Sequence, residues 1–132
     1  MSSLRAEVVL DWADGKYLFA LKGAQIEELQ RKCGKGVAAI AQDVFNDRYS
    51  YADLKETIRL GLVGGGTDPV EAVRLVEAYV EGMALAPPKT HKGTLDVARA
   101  VLSALFFGME EYVDEDEEPE DPLTKAVKGV IS

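Results

Sequence analysis

The chain has 132 residues, 47% of them apolar and 29% charged, with a formal net charge of −8 and a single cysteine. That length suits one domain with its own core, and one cysteine leaves no intramolecular disulfide and no thiolate zinc site. The charge is local: residues 110–122 hold nine acids and no base, while the rest sets 14 acids against 15 bases, so no basic face for nucleic acid is predicted.

Glu7-Val-Val-Leu-Asp-Trp12 and Lys16-Tyr-Leu-Phe-Ala-Leu21 read as two strands separated by Ala13-Asp14-Gly15. Asp-Gly between such runs predicts a tight hairpin in which the glycine takes the positive φ. Val8, Leu10 and Trp12 share one face of the first strand, and Tyr17, Phe19 and Leu21 share one face of the second. The period then changes from two to about 3.6. Ile26, Leu29 and Cys33 line a first helix that stops at Gly34. A second helix is predicted over residues 37–45, with Val37, Ile40, Ala41 and Val44 on its apolar side and Asn46-Asp47 closing it. Ser50 is placed to cap a third helix, with Asp53 in the first turn and a face of Leu54, Ile58 and Leu62. Gly64-Gly65-Gly66 reads as its stop, and because the glycines follow a helix they do not read as a phosphate loop.

Asp68, Pro69 and Glu71 form the clearest start signal in the chain, opening a fourth helix to about Gly82. Val70, Val73, Val76 and Val80 are its expected stripe. Residues 87–93 read as a loop, after which Thr94 is expected to cap a fifth helix reaching about Tyr112. Leu95, Ala98, Leu102, Leu105, Phe106 and Met109 face inward, and this wide apolar surface predicts it as the centre of the bundle.

The acidic block contains Pro119 and Pro122 and almost no apolar area, so it is expected to be disordered. Beyond it, Leu123, Val127 and Val130 or Ile131 line one side of a short segment, with Lys125 and Lys128 outward. So short a helix is not stable alone in water. The expected division is residues 1–112 as the folded domain and residues 113–132 as an acidic flexible tail with a short amphipathic end. The longest apolar-rich stretch, residues 97–109, is interrupted by Arg99 and falls short of a membrane span, and no signal-peptide pattern precedes the first strand. A cytoplasmic protein is expected.

Candidate chemistry is sparse. His91 is the only histidine, stands in a Pro- and Lys-containing loop, and reads as solvated. Cys33 reads as a small buried hydrophobe. Glu27-Glu28 and Glu110-Glu111 read as carboxylates on solvated faces, and Ser50 and Ser103 have no histidine partner pattern. Residues 114–118 are acidic but lack the interleaved glycine and terminal Glu of a calcium loop. No catalytic, cofactor or metal residues are predicted, and the sequence singles out no partner-binding residue.

The order of elements carries a resemblance. The Asp-Gly hairpin is followed by Ile26-x-x-Leu29-x-x-x-x-Gly34, then by Leu54-x-x-x-Ile58-x-x-Gly61-Leu62-x-Gly64-Gly65. Over about residues 6–109 this resembles the phage tail protein family first grouped around gene transfer agents, whose members are described as tail tube proteins and as tail assembly chaperones. The resemblance implies a non-enzymatic role in tail morphogenesis. Since a tube wall needs many strands and this chain signals two, the chaperone role is the closer fit, with the tape measure or tail tube protein as partner. A structural tube subunit and a small helical protein-binding regulator remain the alternatives. The expected fold is α+β, an N-terminal hairpin packed on a bundle of about five helices, in a monomer or small oligomer without cofactor, nucleic acid or membrane.

Overall fold

A computed structural model describes residues 4–85 and 93–110. The expectations for His91, Glu111, the acidic run 114–118, the tail and the segment 123–131 lie outside the described residues. The elements run β1 (Leu4–Arg5), β2 (Glu7–Trp12), β3 (Gly15–Ala20), α1 (Gly23–Cys33), α2 (Val37–Phe45), α3 (Tyr51–Gly64), α4 (Pro69–Tyr79), α5 (Thr94–Phe107) and β4 (Met109–Glu110). The fold is α+β, a hairpin on five helices, as the periodicity predicts.

In the hairpin Trp12 pairs with Gly15, so the turn is Ala13-Asp14 and Gly15 already belongs to β3. The positive φ falls on Ala13, at 56°, and not on the glycine. Moving the turn to Asp14-Gly15 would bury the same side chains, because it shifts the register by two and leaves the faces unchanged. The apolar pattern therefore does not choose between them. The observed register sets Asp11 opposite Lys16, 3.8 Å apart, and lets the Tyr17 hydroxyl donate to Asp14. Leu10, Trp12, Phe19 and Leu21 are buried, and Trp12 meets Tyr17, Phe19 and Tyr79 edge-on with ring centroids 5.9–6.0 Å apart. Edge-to-face contacts of this kind add about 1 kcal/mol each beyond burial.

The centre of the bundle is α3, not α5. It packs against all four other helices and β3, and buries Leu54, Ile58, Leu60 and Leu62 completely or nearly so. Its last turn explains the choice. A Cβ on Gly64 would overlap the Ala20 carbonyl, and one on Gly65 would overlap that of Leu18. The glycines thus do more than stop a helix, since they let its end lie directly against the backbone of β3. Meanwhile α5 ends at Phe107 with Gly108 at φ 76°, earlier than Tyr112, and Met109 pairs with Arg5 in the small β1–β4 ladder. Thr94 is the first helical residue and is buried, so Gly93 stands at the cap position instead.

On α4 the expected valine stripe is only half right. Ala72, Leu75, Val76 and Val80 are buried, while Val70 is 78% exposed and Val73 also faces outward. The cap is as predicted: Asp68 Oδ1 accepts from the Val70 and Glu71 amides at 2.9 and 3.3 Å. Among the described residues no helix is long and apolar enough to cross a membrane.

Candidate functional site: strand edges and charged grooves

Three regions bring polar or unpartnered groups together. The first sits at the start of α3. Ser50 Oγ accepts from the Asp53 amide at 3.1 Å, and the Asp53 carboxylate accepts from the Ser50 amide at 2.9 Å, closing a reciprocal cap. Asp53 is fully buried, and Lys35, arriving from the α1–α2 connection, donates to it and to Asp43 at 2.7 Å each. Burial alone would raise the Asp53 carboxyl; the Lys35 and Ser50 hydrogen bonds outweigh it and hold the group below its ordinary value. Cys33 stands beside this cluster, half-buried, with Sγ 3.7 Å from the Ala52 carbonyl. Burial, followed by the Asp53 charge, pushes its thiol up to about 12. A thiol in that state is protonated at neutral pH and a poor nucleophile. The cluster fastens three helices together.

The second region is a groove of about 310 Å³ over α3, walled by α1 and α4. Arg59 spans its floor, donating to Glu28 at 2.7 Å and Glu56 at 2.6 Å, and Lys55 pairs with Glu81 at 3.2 Å. Glu28 is therefore an ion-paired residue, not a solvated one: the Arg59 hydrogen bond lowers its carboxyl. Glu27 is exposed as expected. The charges of this groove largely satisfy one another, which suits holding helices together better than enclosing an apolar ligand.

The third region is the hairpin. Residues flanking a two-residue turn form a hydrogen-bonded pair, and pairs alternate from there. Trp12–Gly15, Leu10–Tyr17 and Val8–Phe19 are thus joined by ladder bonds, whereas Glu7, Val9 and Asp11 on β2, and Lys16, Leu18 and Ala20 on β3, point their amides and carbonyls outward. On β3 the Ala20 and Leu18 carbonyls meet Gly64 and Gly65. On β2 no hydrogen bond to the outward groups exists among the described residues, and no further strand joins it. Val9, in the middle of that edge, is 60% exposed. Sequence reasoning finds the strands but not this asymmetry, because the signal lies in the glycine pair 45 residues beyond β3's end (Ala20 to Gly65). Ser50 serves as a cap, Ser103 is half-buried in α5, and among the described residues no group of His, Cys, Asp and Glu is arranged to hold a metal ion.

A family model described as phage tail tube protein, GTA-gp10, matches residues 5–108, within a residue at each end of the span that carries the sequence resemblance. Comparison with curated proteins and with solved structures gives no match. With nearly all of the described fold inside that span, the chain belongs to the GTA-gp10 phage tail tube protein family, and its role lies in tail morphogenesis.

Proposed function

We propose that this chain is a tail assembly chaperone, which binds the tape measure or the tail tube protein in the bacterial cytoplasm before the tail is built. The observation that carries this reading is the strand inventory. The described residues form one hairpin of six-residue strands and one ladder of two-residue strands, and a long edge of the hairpin is stopped by α3. A tube wall is a continuous ring of strands and needs edges that join neighbours on both sides. One open edge on a mainly helical body suits transient binding instead. In this reading residues 1–112 are the binding domain and residues 113–132 an acidic extension. The charge of residues 110–122 deters polymerisation of the bound partner by like-charge repulsion. Binding requires no cofactor and no catalysis.

The family's description as a tail tube protein favours a second reading, a structural subunit of the tube wall. Coexpression with the tape measure and tail tube proteins of the same gene cluster, followed by size-exclusion chromatography and negative-stain microscopy, separates the two. A soluble complex with either protein, and no tubes from the chain alone, is expected. Tubes or rings assembled by the pure chain would replace the chaperone reading with the second.

A further inference from the structure

We infer that the outer edge of β2 is a strand-addition site for an extended partner segment in which basic residues flank an apolar one at alternate positions. The inference rests on the chaperone reading and names the chemistry of its partner. Glu7, Val9 and Asp11 offer three successive outward amide–carbonyl sets, the repeat that an added strand requires. Their side chains share the outer face of the hairpin, an apolar residue between two acids. A strand laid beside them places its own alternate residues next to Glu7, Val9 and Asp11, and basic–apolar–basic is the matching pattern.

The same arithmetic disfavours a second copy of this chain. Antiparallel pairing of two β2 strands centred on Val9 would set Glu7 opposite Asp11 twice, and like charges directly across a ladder are destabilising. Arg5 approaches Glu7 at 2.8 Å, so that acid is partly compensated within the chain; Asp11, 3.8 Å from an exposed Lys16, is less so. The closed β3 edge means that addition stops at one strand. Binding here caps an extended segment and cannot propagate a sheet.

The test uses the full-length protein, isotopically labelled, with two synthetic probes: acetyl-Thr-Lys-Val-Val-Val-Lys-Thr-amide and its counterpart with Glu in place of Lys. Amide hydrogen exchange is followed residue by residue. The lysine peptide is expected to slow exchange at Val9 and Asp11 by about tenfold at low salt, leaving Leu18 and Ala20 unchanged, and the glutamate peptide to do neither. Asp11→Lys, alone and with Glu7→Lys, is expected to move the preference toward the glutamate peptide by about tenfold in dissociation constant for the double variant. Both positions are on the outer face, so the core is untouched. Equal protection by both peptides, protection by neither, or protection at β3 would overturn the inference. So would slow exchange at Val9 and Asp11 before any peptide is added, since the edge would then be occupied by this chain or its copy. A complex with the tape measure alongside a peptide-blind β2 edge would remove this inference and leave the chaperone reading standing; tubes formed by the pure chain would remove that reading itself.

Discussion

The two long edges of one hairpin have opposite fates in this protein. Beside β3 the last turn of α3 comes so close that only glycine fits at positions 64 and 65. Beside β2 the described residues leave three outward backbone sets without a hydrogen-bonding partner, with Val9 in the middle. An exposed edge is ordinarily a hazard that proteins close or blunt with charge. Here one edge is closed by packing, while the other keeps its backbone groups and carries an acid on either side of Val9. The difference shows that the open edge is not a general property of a short hairpin, since the same fold has the means to close one.

The sharpest way to break the comparison is to disturb the closed edge. Gly65→Ala would drive a methyl into the Leu18 carbonyl, a rigid backbone atom, so α3 must withdraw or the hairpin must shift. The expected loss is at least about 3 kcal/mol, at the upper end for overpacking, read from the urea midpoint. Gly61→Ala is the control on the same helix. Its methyl would lie 3.2 Å from Phe19 Cδ1 and 3.3 Å from Val101 Cγ1, side-chain atoms that can yield, and the expected cost is about 1 kcal/mol. Equal costs for the two variants would mean that α3 is not fixed against the β3 backbone.

The other end of α3 supplies the next test, because the Lys35–Asp53 contact holds the helix that closes the edge. Lys35→Met leaves the buried Asp53 carboxylate without its cation, at an expected cost of about 2 kcal/mol at pH 7. This is below the figure for a fully buried pair because Lys35 keeps some contact with water. The folded-state value of Asp53 is depressed, so its contribution is present above the ordinary 3.8 and lost as pH falls through the lower folded value. Lys35 is raised above 10.5, chiefly by its hydrogen bond to Asp43, so its contribution is present below 10.5 and lost as pH rises through the higher folded value. The pair therefore contributes evenly across neutral pH, and the deficit of the variant should shrink in acid as Asp53 becomes neutral, first in the variant, where the cation no longer holds its carboxyl down. A deficit that stays constant in acid would show that Lys35 acts through packing alone.

Much of this fold is legible in the residues. The hairpin, all five helices and the Ser50, Asp68 and Gly34 ends follow from local chemistry, because periodicity and capping act within a few residues. Relations between distant residues are not legible in the same way. Val70 and Val73 fit the helical stripe but face outward, because the buried side of α4 is carried by Ala72, Leu75 and Val76 instead. Phe106 fits the inward period of α5 but is 44% exposed, in the last turn before Gly108 ends the helix. The β1–β4 ladder has two residues per strand, too few for any pattern. The candidate site was hidden for the same reason, since an edge is open or closed according to what a remote segment does.

The turn gives a smaller effect. Ala13 holds φ at 56°, a region that costs a side-chain-bearing residue about 1 kcal/mol relative to glycine. Ala13→Gly should raise the thermal midpoint by a few degrees, tempered by the added freedom of the unfolded chain. Since it leaves both edges as they are, it should not alter peptide binding at β2. A drop in stability would place the turn at Asp14-Gly15 in solution and reverse the assignment of outward groups.

The smallest stability effect belongs to the open edge, and it sharpens the contrast most. Val9 is on the outer face, its amide points away from β3, and it lies outside the hydrophobic core cluster. Val9→Lys should leave the urea midpoint within about 0.5 kcal/mol of wild type, the usual range for surface positions. The new ammonium would sit between Glu7 and Asp11, neutralise the pair and repel a basic strand. Hydrogen-exchange slowing by the lysine peptide should then vanish while the fold is untouched. A variant that is destabilised by 2 kcal/mol or more would mean that Val9 is covered by part of the chain and that β2, like β3, has a closed edge.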